Sequence, residues 1–128
     1  MYKPFLITAA WLGCLSVALG AFGAHTLKAH LTQESMGIFE TGVRYQFYHV
    51  FALALTGILY HSFPSPKILL SGKLFMGGIL LFSGSLYLLA MLGTEHFSWI
   101  GAITPLGGIL FIAGWFLLAR GIQNAKTD

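Results

Sequence analysis

Apolar positions in this chain run in blocks, not in stripes. Four stretches with almost no formal charge cover about residues 5–24, 44–63, 74–94 and 97–119. Each is close to the roughly 20 residues that carry a helix across a hydrocarbon core of about 30 Å. Charged and polar residues stand at the block ends: Lys3 and His25 around the first, Arg44 at the second, Lys73 before the third and Arg120 after the fourth. The pattern predicts an all-α fold, one integral membrane domain built as a four-helix bundle with four transmembrane spans. The first block has the positive start and the small residues Ala21-Phe22-Gly23-Ala24 of a secretory leader. Three further spans follow it, so it is read as a retained helix.

Local signals set the joints. Thr32 is placed to cap a helix, Glu34 lies in its first turn, and Leu31 with Met36 has the spacing of a hydrophobic staple. An interfacial helical extension over about residues 33–43 is therefore expected to lead into span two. Phe63-Pro64-Ser65-Pro66 stops that helix, because proline removes donors and restricts the residue before it. Pro105 admits two readings: Thr104 as an N-cap with proline at the first helical position, or a kink within one continuous helix. The kinked helix is favoured, since Pro105 to Ala119 alone is short for a span.

Composition agrees: hydrophobic residues make up 56% of the chain and charged residues 9%, far below the quarter or so of a soluble domain. The bilayer is the expected solvent and partner. The net charge of +3 does not signal nucleic acid, because the basic residues form no stripe. They report topology instead. Lys3, Lys67, Lys73, Arg120 and Lys126 share one side, whereas Lys28 and Arg44 hold the other, which predicts a protein of the cytoplasmic membrane with both termini on the cytoplasmic side. Asp128 is the only acid on that inner side, and the single cysteine, Cys14, reads as packing.

Helices in lipid associate where small residues let backbones approach. Ala9, Gly13, Ser16, Gly20 and Gly23 form such a stripe in the first span. Gly77 with Gly84 continues the theme in the third, and Gly107 with Gly114 in the fourth. These seams predict tight packing, self-association or a membrane-protein partner.

Most polar groups fall on the outer side. Glu40 and Arg44 have the favourable order for an ion pair on one helix. His49, one turn beyond Tyr45, lies deeper, where a polar side chain needs a partner. Tyr87, Ser83 and Ser85 of the third span fall within its expected reach. This cluster is either a structural network tying span two to span three or an outward-facing pocket. The pocket would make the chain a lipid-, small-molecule- or ion-binding protein, or a transporter or channel subunit. His25, His30 and His96 have no metal-ligand spacing, so neither metal nor cofactor is expected. No nucleophile motif or paired carboxylate occurs in the spans. A non-enzymatic structural or accessory role is the leading expectation.

Four segments carry a resemblance: Ala18-Leu19-Gly20-Ala21-Phe22-Gly23-Ala24-His25, Thr41-Gly42-Val43-Arg44-Tyr45-Gln46-Phe47-Tyr48-His49, Leu81-Phe82-Ser83-Gly84-Ser85-Leu86-Tyr87, and Thr104-Pro105-Leu106-Gly107-Gly108 with Gly114-Trp115. Through them the chain resembles the domain of unknown function 423 family, the YgdD- and YwdK-like small membrane proteins related to transmembrane protein 256. The resemblance implies a four-span inner-membrane protein and no established activity. It points to His25, Arg44, Tyr45, His49, Ser83, Ser85, Tyr87 and Thr104, which the polar pattern also singles out.

Overall fold

Pro4, whose missing N–H costs nothing in a first turn, opens α1 (Lys3–His25). In the computed structural model, which describes residues 1–126, a short 3-10 turn over Leu27–Ala29 follows. Asp128 lies outside the described residues. The hydroxyl of Thr32 accepts the Ser35 amide at 3.1 Å and starts α2 (Gln33–Leu59). Leu31 and Met36 meet in one apolar cluster beside that cap. The expected extension over 33–43 and the block that follows it thus form one helix of 27 residues, which ends at Leu59 rather than at Phe63.

α3 (Pro66–Gly78) begins two turns before Leu74, because the Ser65 hydroxyl accepts the Ile68 amide at 3.3 Å and Pro66 takes the first helical position. A π turn over Ile79–Ser83 joins it to α4 (Gly84–Leu92). Gly93, at φ +91°, ends the rod in a conformation that only glycine adopts freely. After α5 (Thr94–Phe97) and a 3-10 segment Ser98–Ala102, α6 runs over Thr104–Gln123.

The favoured continuous helix kinked at Pro105 is not what forms. Pro105 offers no N–H to the preceding turn and its ring crowds the carbonyl four residues back. The residues before it wind as 3-10 turns and the helix starts afresh at Thr104. Thr104 makes no side-chain cap; its hydroxyl is spent elsewhere, as shown below.

Among the described residues there is no strand. Three helical stretches, Lys3–Ala29, Pro66–Leu92 and Thr94–Gln123, are long and apolar enough to cross a membrane. α2 is as long but falls outside that set, since Arg44, Gln46 and His49 interrupt its apolar run.

The glycines decide the packing. In α1, Gly23 lies against the Phe39 ring, and Gly13 and Gly20 face Val50 and Val43. Ala9, Ser16 and Gly23 are buried. The small-residue stripe of α1 is therefore covered by α2 of the same chain. α6 is seated on the third rod in the same way: Gly107 on the Phe82 backbone, Gly114 on the Phe75 ring and Gly121 on Ile68. Gly77 touches Leu110 at the edge of this contact, and Gly84 has open space around it. The main core gathers Phe5, Leu53, Ile68, Phe75, Phe111 and Leu118 between all four long helical stretches.

Candidate functional site

A row of polar side chains on the buried face of α2 forms the centre of the bundle. Gly42, Gln46, His49, Leu53 and Thr56 recur at three- and four-residue steps and are all buried, which is one helix face. Nothing at Gly42 extends beyond the backbone, so the Tyr87 ring of α4 lies directly on it. That seat brings the Tyr87 hydroxyl to Gln46 one turn along, donating to Oε1 at 2.6 Å. On its other side the Gln46 Nε2 donates to the Leu12 carbonyl of α1 at 3.1 Å. One amide thus joins three helices, and it is 1% exposed.

His49 closes the second half of the row. Its Nδ1 lies 2.8 Å from the Tyr45 carbonyl, an acceptor only, so Nδ1 carries the proton. The indole Nε1 of Trp115 in α6 donates to Nε2 at 3.1 Å. Both ring nitrogens are occupied by the neutral tautomer. The imidazole is stacked on Phe111 at 3.5 Å between centroids and 7° between planes, with Phe75 on another side at 5.6 Å.

Four hydroxyls fasten further contacts. Ser83, in the π turn, donates to the Gly42 carbonyl at 2.7 Å. Ser71 donates to the Gly114 carbonyl at 2.8 Å. Ser85 gives its one proton to the Phe82 carbonyl at 2.9 Å, so the Thr104 hydroxyl, 2.6 Å away, donates to Ser85. Among the described residues no buried side-chain nitrogen or oxygen lacks a hydrogen-bond partner.

The structure thus separates the residues singled out in the sequence. Tyr87 and Ser83 settle on α2, at Gln46 and the Gly42 carbonyl, His49 turns toward α6, and Ser85 pairs with Thr104. The expected meeting of His49 with Tyr87, Ser83 and Ser85 does not occur. Tyr45 lies at the surface, its ring 4.6 Å from Phe82. His25, Glu40 and Arg44 are exposed at the end of the bundle where α1 turns into α2. Around His49 the neighbours are rings: Phe111 stacks on the imidazole, Phe82 lies 5.4 Å from Phe111, and Tyr45 lies 4.6 Å from Phe82. Among the described residues no three histidines, cysteines or carboxylates are placed to hold a metal ion.

Gln46 is the residue that sequence reasoning missed as a participant. Attention to charged groups passed over an uncharged amide. The available signal was its place on the Gly42-Gln46-His49 face, three residues before the deep histidine. Chemically, the amide, the imidazole and the hydroxyls of Ser71, Ser83 and Ser85 are all engaged in bonds that cross between helices.

A profile of the family described as "Protein of unknown function (DUF423)" matches residues 19–108. The chain is 40% identical to a UPF0382 membrane protein of Haemophilus influenzae over 99% of each chain. It is 40% identical to the UPF0382 inner membrane protein YgdD of Escherichia coli, over 94% of this chain and 90% of that protein. To the UPF0382 membrane protein YwdK of Bacillus subtilis it is 39% identical, over 91% of this chain and 93% of the relative. No solved structure matches.

Proposed function

The chain belongs to the DUF423 family of membrane proteins, and from that premise we propose that it crosses the cytoplasmic membrane four times, both termini inside, as a non-enzymatic protein of structural or accessory role. Support for α2 as the fourth span comes from where its polar groups go. Gln46 and His49 are buried and bonded, whereas beyond Arg44 the side chains it exposes are the aromatic and apolar Tyr45, Tyr48, Phe51, Leu55 and Ile58. A helix that satisfies its polar groups inside the bundle presents only apolar surface to lipid. Orientation rests on the lysine and arginine bias. The Tyr2 amide bonds the Gly57 carbonyl at 2.8 Å, so the chain start lies beside the α2–α3 turn, and Lys3, Lys67 and Arg120 gather at that end.

The single observation that carries the structural role is that Gln46, His49, Ser71, Ser83 and Ser85 bond across helices and that no buried side-chain nitrogen or oxygen among the described residues is left without a partner. Association with a second copy or a membrane partner is part of the proposal. The α1 and α6 seams are used within the chain, so the face carrying Gly84, beside Leu80, Leu88 and Trp99, is the one it would use. Two measurements test this reading. Replacing His49 by alanine should lower the melting temperature of the purified protein without releasing any molecule held in the core. A small molecule retained there by the wild type and lost from H49A, seen by native mass spectrometry, would replace the structural role by a binding one. A photocrosslinker at Leu80 should capture a second copy or a membrane protein in cells; capture of lipid alone removes the association.

A further inference from the structure

A groove runs along one side of the α1–α2 pair, starting at the turn between them. Its mouth is a hollow of about 650 Å³ bordered by Lys28, Gln33 and Glu40. Below it, a recess of about 160 Å³ is floored by Gly20, Gly23 and Val43 and edged by Glu40 and Arg44. Further along, about 380 Å³ of open space is lined entirely by apolar residues, among them Ala10, Gly13, Val17, Phe47 and Val50. On each helix the lining residues advance in steps of three or four, so the three spaces lie on one side of the pair.

We propose that this groove seats one phosphatidylethanolamine molecule, its phosphate at Arg44, its ammonium at Glu40 and an acyl chain along the apolar stretch. The order of groups along α2 is the argument. Going outward, α2 presents Val50 and Phe47, then the Arg44 guanidinium, then, one turn or about 6 Å further, the Glu40 carboxylate. A phosphatidylethanolamine presents acyl chain, phosphate and ammonium in the same outward sequence. Arg44 can bond phosphate through two N–H groups at once, and a carboxylate answers an ammonium. Both side chains are exposed, and among the described residues no ion pair joins them within 4.0 Å. Lys28, across the mouth from Glu40, keeps the region net positive and so favours a phosphate-bearing occupant. Phosphatidylglycerol shares the phosphate but offers Glu40 no cation. The inference rests on α2 lying across the membrane as proposed above; the leaflet follows from the orientation.

The test uses the purified full chain in dodecyl maltoside, titrated separately with phosphatidylethanolamine, phosphatidylglycerol and phosphatidylcholine and read by native mass spectrometry. No leaflet enters such a measurement, so a failed topology and a failed lipid site are distinguishable. One phosphatidylethanolamine per chain should be retained at concentrations where phosphatidylglycerol, without a cation, is not. Phosphatidylcholine, whose trimethylated nitrogen has no N–H to donate to Glu40, should be held more weakly than phosphatidylethanolamine. Arg44→Gln should weaken its retention about tenfold, the loss of one charge-assisted contact. Glu40→Gln should level phosphatidylethanolamine with phosphatidylglycerol. Ala10→Phe, which fills the apolar stretch, should weaken retention with both charges in place. Melting temperature without added lipid checks that each variant is folded. Equal retention of phosphatidylglycerol by the wild type, or retention indifferent to the Arg44 and Glu40 changes, overturns the proposal and leaves only annular lipid.

Discussion

The Trp115 indole donates its N–H to His49 Nε2 across 3.1 Å, and this bond joins α6 to α2 in a region otherwise made of stacked rings. Because the Tyr45 carbonyl holds Nδ1, Nε2 has the indole as its partner. Trp115→Phe keeps the aromatic packing near Phe75 but removes the donor. We expect a loss of about 1–2 kcal/mol, measured as reduced resistance to unfolding in mixed micelles, with the helical content unchanged. An unaltered unfolding curve would mean that the indole contributes by packing alone.

Tyr87 and Gln46 form a second pair whose coupling is measurable. Tyr87→Phe leaves the Gln46 Oε1 without its 2.6 Å donor. Gln46→Leu removes both the acceptor and the bond to the Leu12 carbonyl. In a double-mutant cycle the two changes should be non-additive by about 0.6 kcal/mol, an average for hydrogen bonds between membrane helices. Strict additivity would show that the hydroxyl and the amide act independently.

Two glycines that look equivalent in sequence should respond in opposite ways. A methyl group at Gly107 would run into the Phe82 backbone, which cannot swing aside as a side chain can. At Gly84 nothing lies within 4 Å. Gly107→Ala should destabilise by about 2 kcal/mol or more, in the range of overpacked cores, or prevent assembly. Gly84→Ala should be neutral or gain up to about 1 kcal/mol from helix propensity. Thermal stability of both variants in one detergent decides the matter.

Topology is open to a direct test in a Cys14→Ala background. A cysteine at Lys28 should react with a membrane-impermeant maleimide in intact cells. One at Lys67 should react only after the membrane is opened. The reverse pattern would turn the protein over, and labelling of both sites in intact cells would remove the four-span arrangement.

Much of this architecture was legible along the chain. Charge-free blocks of span length announced the helices, Thr32 and the prolines marked their ends, and small residues at regular steps marked α1 as a packing surface. Two things were not. Where α6 begins depended on whether Pro105 lies inside a helix or at its start, and local spacing allows both. The partners of His49 were misjudged because depth along a helix says nothing about the direction in which a ring points around it.

The sequence by itself determined the solvent, the helices and the kinds of contact available, because a bilayer demands apolar surface outside and satisfied backbone groups throughout. Only the tertiary structure decided which polar group meets which. Tyr87 reaches Gln46 because Gly42 has no side chain to hold its ring away. His49 meets Trp115 because its ring stacks on Phe111, one turn away on the same helix α6. Hydrogen bonds act over a few ångströms, and such distances are set by how the helices are rotated and seated against one another.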